Sequence, residues 1–122
     1  MIYINSYRFL PKGIYHSAKV AYSLRELYDT WKDRNVVEVI VGTSGPTQSF
    51  TALQVADGTL EEFVGAGNDG FVSKWYDQSG DENDAYQVTA FKRGRVVTNG
   101  QLVTEGGAPA IFLRFEVTTL CR

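Results

Sequence analysis

A chain of 122 residues, 43% hydrophobic and 21% charged, has the size and balance of one globular domain rather than a disordered segment. Its net charge of −2 gives no general attraction to nucleic acid or anionic membrane, and no apolar run approaches the length of a membrane span. One cysteine, Cys121, and one histidine, His16, exclude an intrachain disulfide, a cysteine-ligated metal and a His-rich cluster.

The opening "MIYINSYRFLPKG" lacks the basic start and long apolar run of a signal peptide, so direct secretion is not expected. Residues 1–16 read as an irregular lead-in, in which "YINSYRF" is either an edge strand or loose chain. Ser17 is a candidate N-cap. Val20, Leu24, Leu27, Tyr28 and Trp31 then follow at helical spacing, which predicts an amphipathic helix ending near Lys32–Asn35. "VVEVIV", Val36 to Val41, is a β-branched run expected to be a buried strand.

After the turn cluster Gly42–Pro46, a strand is expected over Ser49–Val55 and a tight turn at Asp57–Gly58. Thr59 and Glu62 have capping-box spacing for a short helix ending at Gly65. "GFVSKWYDQ" is the clearest strand, with Phe71, Ser73, Trp75 and Asp77 expected on one face and Val72, Lys74, Tyr76 and Gln78 on the other. "AYQVTAF", "GRVV", "QLVT" and "PAIFLRF" follow as short strands, with turns at Asn99–Gly100 and Gly106–Gly107. Strands at this spacing, broken by Gly-rich turns, predict a mainly β sandwich or jelly roll over residues 17–122.

Candidate chemistry concentrates in "KWYDQSGDENDAYQ", Lys74 to Gln87. Asp77, Ser79, Asp81 and Asn83 alternate like the first half of a calcium loop. Glu82 stands where that loop needs Gly, though, and Val88 where it needs a bidentate acid, so no metal is expected. Asp77 with Asp84 or Glu82 offers the residue types of a glycosidase pair, but one turn rarely holds two carboxylates at the required separation. Turn residues joining two strands account for the same letters. Trp75 and Tyr76 are adjacent on a strand and point to opposite sides; Trp75 is expected in the core and Tyr76 outside, where its ring can stack on a sugar. "GAGNDG", Gly65 to Gly70, precedes a strand instead of opening a helix and fails as a dinucleotide loop. The cluster Lys92, Arg93 and Arg95 is too small to mark a phosphate-binding surface.

"AYSLREL", "LEEFVGAGNDGFVSKWYDQSG", "NDAYQ" and "GRVVTNGQLVTEGGAPAI" resemble, in order, blocks of a concanavalin A-like domain. It is the domain of the α-L-arabinofuranosidase B catalytic family and of phage tail and virion proteins. The resemblance covers roughly residues 20–111, and its signature is Trp75, Tyr76, Asp77, Gln78, Ser79, Gly80, Asn83 and Gln87. It implies a jelly-roll segment with one N-terminal helix and one short helix, corresponding to the first portion of that domain. Asp81, Glu82 and Asn83 replace an Asn-Gly-Asn-like turn, and the family's nucleophile and acid have no matching positions here. The implied function is therefore a non-catalytic carbohydrate-associated binding or structural module of a virion surface protein. The alternatives are a fragment of an arabinofuranosidase-type hydrolase and a small structural protein without a ligand. Expected partners are a polysaccharide or cell-surface glycan, a second copy or a virion protein, in a virion or extracellular setting. No nucleic acid, membrane or cofactor is expected. The sugar-contact candidates are Tyr76, Asp81, Asn83 and Asp84, and the remaining signature residues are expected to serve the fold.

Overall fold

The structure, a computed structural model, describes residues 2–5 and 21–113. Nine strands occur among them: β1 (Ile2–Asn5), β2 (Asn35–Val41), β3 (Thr47–Thr51), β4 (Gly70–Trp75), β5 (Ala85–Tyr86), β6 (Arg95–Thr98), β7 (Gln101–Leu102), β8 (Thr104–Glu105) and β9 (Ala108–Leu113). Two short helices, α1 (Ala52–Ala56) and α2 (Thr59–Val64), lie between β3 and β4. The strand order is β1-β9-β6-β4-β2-β3, with β5 on β4, β7 on β6 and β8 on β9. Every pairing is antiparallel. The molecule is thus mainly β, and residues 2–5 take the edge-strand option against β9.

The core joins the sheet to the two helices and to the chain before β2. Val37, Val39, Phe50, Val72 and Val97 from the strands meet Val55 of α1, Leu60 and Val64 of α2, and Leu24. α2 reaches the sheet at Gly70, where an added Cβ would stand 2.8 Å from Val64 Cγ2 and 3.0 Å from Val39 Cγ1. Both neighbours are stiff β-branched side chains, so the close approach depends on the missing side chain.

Several expectations change. The helix predicted from Ser17 to near Lys32–Asn35 is not formed over residues 21–28, which run as irregular chain into a single 3-10 turn, Asp29–Trp31, and β2 begins at Asn35; residues 17–20 lie outside the described residues. The strand predicted over Ser49–Val55 stops at Thr51, which caps α1 instead. Its hydroxyl accepts from the Gln54 N–H, and Gln54 Oε1 accepts from the Thr51 N–H, forming a reciprocal capping box. At α2 the expected Thr59/Glu62 box is absent: Gly58 is the N-cap, and Asp57 Oδ1 accepts from both the N–H and the hydroxyl of Thr59. "AYQVTAF" is strand only at Ala85–Tyr86, then turns through a 3-10 segment at Ala90–Lys92.

The regular alternation expected along β4 is also broken. Val39 pairs with Val72 while Glu38 pairs with Lys74, so Ser73 is an extra residue, a β-bulge. The bulge places Val72 and Trp75 on the core side, opposite Val39 and Val37. Phe71, expected to share the face of Trp75, instead stands beside Ile40 and Arg95 and is not in the core cluster.

Candidate functional site

The chain from Lys74 to Gln87 leaves β4, turns, and returns as β5, which pairs Lys74 with Tyr86 and Trp75 with Ala85. Its first two residues after Tyr76 are buried: Asp77 is 1% and Gln78 3% exposed. Burying a carboxylate is costly unless donors surround it, and four do here. Asp77 Oδ1 accepts from the N–H groups of Ala21 (2.8 Å) and Ser79 (2.9 Å), while Oδ2 accepts from the Ser79 hydroxyl (2.8 Å) and the Asn83 N–H (3.0 Å). Burial pushes the Asp77 pKa up, but these bonds outweigh it and hold the carboxyl below its ordinary value. Both oxygens are fully occupied, leaving no acceptor site for a cation and no poised proton for acid–base work.

Gln78 acts beside it as a clamp. Its Oε1 accepts from the Leu27 N–H at 2.8 Å, and its Nε2 donates to the carbonyls of Arg25 (2.8 Å) and Ser23 (3.3 Å). Its own N–H donates to the Ala21 carbonyl at 2.7 Å. Asp77 and Gln78 together thereby satisfy the backbone of residues 21–27 that a helix would otherwise have satisfied within itself. This is why helical spacing fails there: Leu24 and Leu27 are buried as a strap lying across the sheet, not as a helix face. Tyr22 completes the clamp, donating its hydroxyl to the Asn83 carbonyl and packing its ring 5.6 Å from that of Trp75. Burial first, then the charges of Asp77 and Asp84, raise the Tyr22 pKa and keep the phenol protonated.

The turn itself is exposed at Asp81, Glu82 and Asn83. Glu82 has φ 57°, the left-handed conformation that a glycine adopts without cost. Glu82→Gly is therefore expected to raise stability, by about 0.5–1 kcal/mol after the extra freedom of the unfolded chain is counted. Urea denaturation of the two proteins measures it.

The sequence-predicted residues divide by position. Asp84 is half-buried, accepting from the Asp77 N–H at 2.8 Å and pairing with Lys74 Nζ at 3.5 Å. Tyr76 is half-buried, its hydroxyl 2.9 Å from Ser49 Oγ and its ring under the Lys74 ammonium at 4.5 Å. Asp81 and Asn83 stand at the exposed tip, away from Trp75, which packs inward. Gly80 has φ 96° and ends the Asp77–Ser79 turn. Gln87 is fixed through its Oε1, which accepts from the Thr89 N–H at 3.1 Å, and through its N–H, which donates to the Ser73 carbonyl.

Two residues that sequence reasoning passed over belong to the same surface. The Lys74 ammonium lies between two tyrosine rings, 4.5 Å from Tyr76 and 5.1 Å from Tyr86. Burial works against its charge, but the Tyr86 hydroxyl, Tyr76 and Asp84 more than offset this and raise its pKa. Tyr86 itself is 67% exposed. Its place opposite Lys74, two residues after Asp84, is the signal a hairpin register would have supplied. Among the described residues, no group of three or more His, Cys, Asp or Glu side chains is placed to hold a metal ion. Compared with family models, with curated proteins and with solved structures, the chain matches none of them.

Proposed function

We propose that the chain is a non-catalytic carbohydrate-associated binding or structural module with a concanavalin A-like, jelly-roll relationship, of the kind carried on virion surfaces. One observation carries the reading. Asp77, the sole buried carboxylate among the described residues, is spent entirely on holding the fold, while Tyr86 of the same hairpin stands at the surface. A glycosidase needs one carboxyl kept protonated by its surroundings and a second placed across the scissile bond. The surroundings of Asp77 do the reverse, holding it ionised. An exposed tyrosine beside hydrogen-bonding side chains suits the apolar face and hydroxyl edge of a sugar ring. Among the described residues the sheet ends at β3, and Leu53 and Val88 are 68% and 85% exposed, which supports pairing with a second copy or a virion protein as part of the same proposal.

Glycan-array binding by the purified chain, combined with an assay on a nitrophenyl arabinofuranoside, tests the reading. Retention on one or more glycans without release of nitrophenol is the expected result. Catalytic release of nitrophenol would replace it with the hydrolase alternative, and no glycan retention would leave the ligand-free structural alternative.

A further inference from the structure

Among the described residues β3 is an outer strand of the sheet, paired with β2 alone. Which of its backbone groups face outward follows from the bonds on either side of β2. The Val41 N–H donates to the Pro46 carbonyl on the β3 side. On the β4 side the Gly42 N–H donates to the Asp69 carbonyl, and the Val36 carbonyl accepts from the Tyr76 N–H. Antiparallel pairing alternates, so Val37, Val39 and Val41 turn their backbone groups to Phe50, Gln48 and Pro46 of the β3 side. Thr47 and Ser49 then point theirs away from the sheet. The next outward donor, the Thr51 N–H, is already taken by Gln54 Oε1 in the α1 capping box. Pro46 stands at an inward position where its carbonyl is the group in use, so its missing N–H does not interrupt the open edge.

An edge of this kind is a template for another strand unless charge, proline or a bulge blocks it. β3 reads TQSFT, without a charged residue or a proline. Thr47 and Gln48 are exposed, and the irregularity in its pairing lies on the β2 strand, between Asn35 and Val37. A neutral strand with two open positions one residue apart is complementary to itself. Laid antiparallel against its own copy about a twofold axis through Gln48, Thr47 of each strand meets Ser49 of the other, and each pair exchanges two N–H···O bonds. An axis through Ser49 would instead set Thr47 opposite Thr51, whose N–H Gln54 already holds.

We propose that the chain forms a closed twofold dimer by antiparallel pairing of β3 with β3 of a second copy, with Gln48 on the axis. This names the partner and the register for the self-pairing in the proposed function, on which it rests, and it is independent of that reading's glycan part. The axis stands perpendicular to the sheet, so the face on which Tyr76 reaches Ser49 Oγ continues from one copy into the other.

Sedimentation equilibrium of the full chain at rising concentration tests it. A monomer–dimer equilibrium without larger species is expected, weak because the strand is short. Exchange of the Thr47 and Ser49 amides is expected to slow as concentration rises, while the Gln48 amide, already paired to β2, stays constant. Gln48→Lys sets two ammonium groups directly across the axis and is expected to weaken association about fivefold. Gln48→Glu is expected to do the same, and an equimolar mixture of the two variants to recover association as a heterodimer. Val88→Ser, which removes an exposed apolar side chain far along the chain from β3, is expected to associate like the parent. A monomer at every concentration overturns the dimer, and glycan retention by that monomer would leave the binding reading intact. A ladder of higher oligomers overturns the closed twofold. Association untouched by Gln48→Lys, or lost in Val88→Ser, moves the contact off β3 and overturns the proposal. Gln48 is exposed, and equal urea midpoints for the Gln48 variants at low concentration separate lost pairing from lost folding.

Discussion

Asp77→Ala is expected to destabilise the chain by about 3 kcal/mol, because truncation leaves the buried N–H of Ala21 and the part-buried N–H groups of Ser79 and Asn83 without their acceptor. A surface turn aspartate would cost a few tenths. Asp77→Asn retains the volume but puts an amide where one oxygen received two donors, so a smaller but still substantial loss is expected. Urea midpoints measure all three proteins.

The same residue sets an acid limit. Its pKa is depressed in the folded state, so the unfolded chain takes up a proton first as pH falls. The stabilisation from Asp77 is complete above the unfolded carboxylate value of about 3.9 and disappears as pH drops through the lower folded value. The stability difference between parent and Asp77→Ala should therefore shrink between about pH 5 and the acid limit of folding, and stay constant from about pH 5 to 8. A difference that widened toward low pH would mean the carboxyl is protonated in the folded chain.

How much of this was legible depended on where each segment finds its hydrogen-bond partners. β2 was readable from "VVEVIV" because a run of β-branched residues fits a buried strand whatever its neighbours. The turn at Asn99–Gly100 was readable because φ values of 52° and 79° call for those two residue types. Capping chemistry announced α1 as well: Thr51 and Gln54 stand at capping-box spacing, a signal outweighed by the β-rich letters before it. The strap was not readable. Val20, Leu24, Leu27, Tyr28 and Trp31 fit a helix, and what defeats the helix is a pair of side chains some fifty positions away, Asp77 and Gln78. Local spacing carries no information about such a partner. The Ser73 bulge was hidden for a related reason, since it exists only in the register between β4 and β2 and moves Phe71 out of the core. The stretch Trp75–Gly80 was thus legible as a cluster. Its division of labour, with Asp77 and Gln78 inside and Tyr76 half outside, required the pairing.

Gln78→Ala is the sharper probe of the strap, since it removes a neutral side chain and leaves the Asp77 cradle in place. Truncation leaves the Leu27 N–H and the Arg25 carbonyl without the bonds they make to Gln78, and it empties the space of a 3% exposed side chain. A loss of about 2–4 kcal/mol is expected from the two unsatisfied groups and the cavity together. Hydrogen exchange gives a readout that total stability does not. The Leu27 amide should lose its protection even where β2 and β4 keep theirs, because the strap is held to the sheet through side chains and not through a ladder of its own. If the Leu27 amide stayed as protected as the Val39 amide in this variant, the strap would be held by its apolar contacts at Leu24 and Leu27, and the clamp would be secondary. Combining Gln78→Ala with Asp77→Ala decides how the two act. They grip successive parts of one segment, so either substitution alone should release it, and the double variant should cost clearly less than the sum of the singles. A fully additive result would instead make Ala21 and Leu27 two independently anchored points on the sheet.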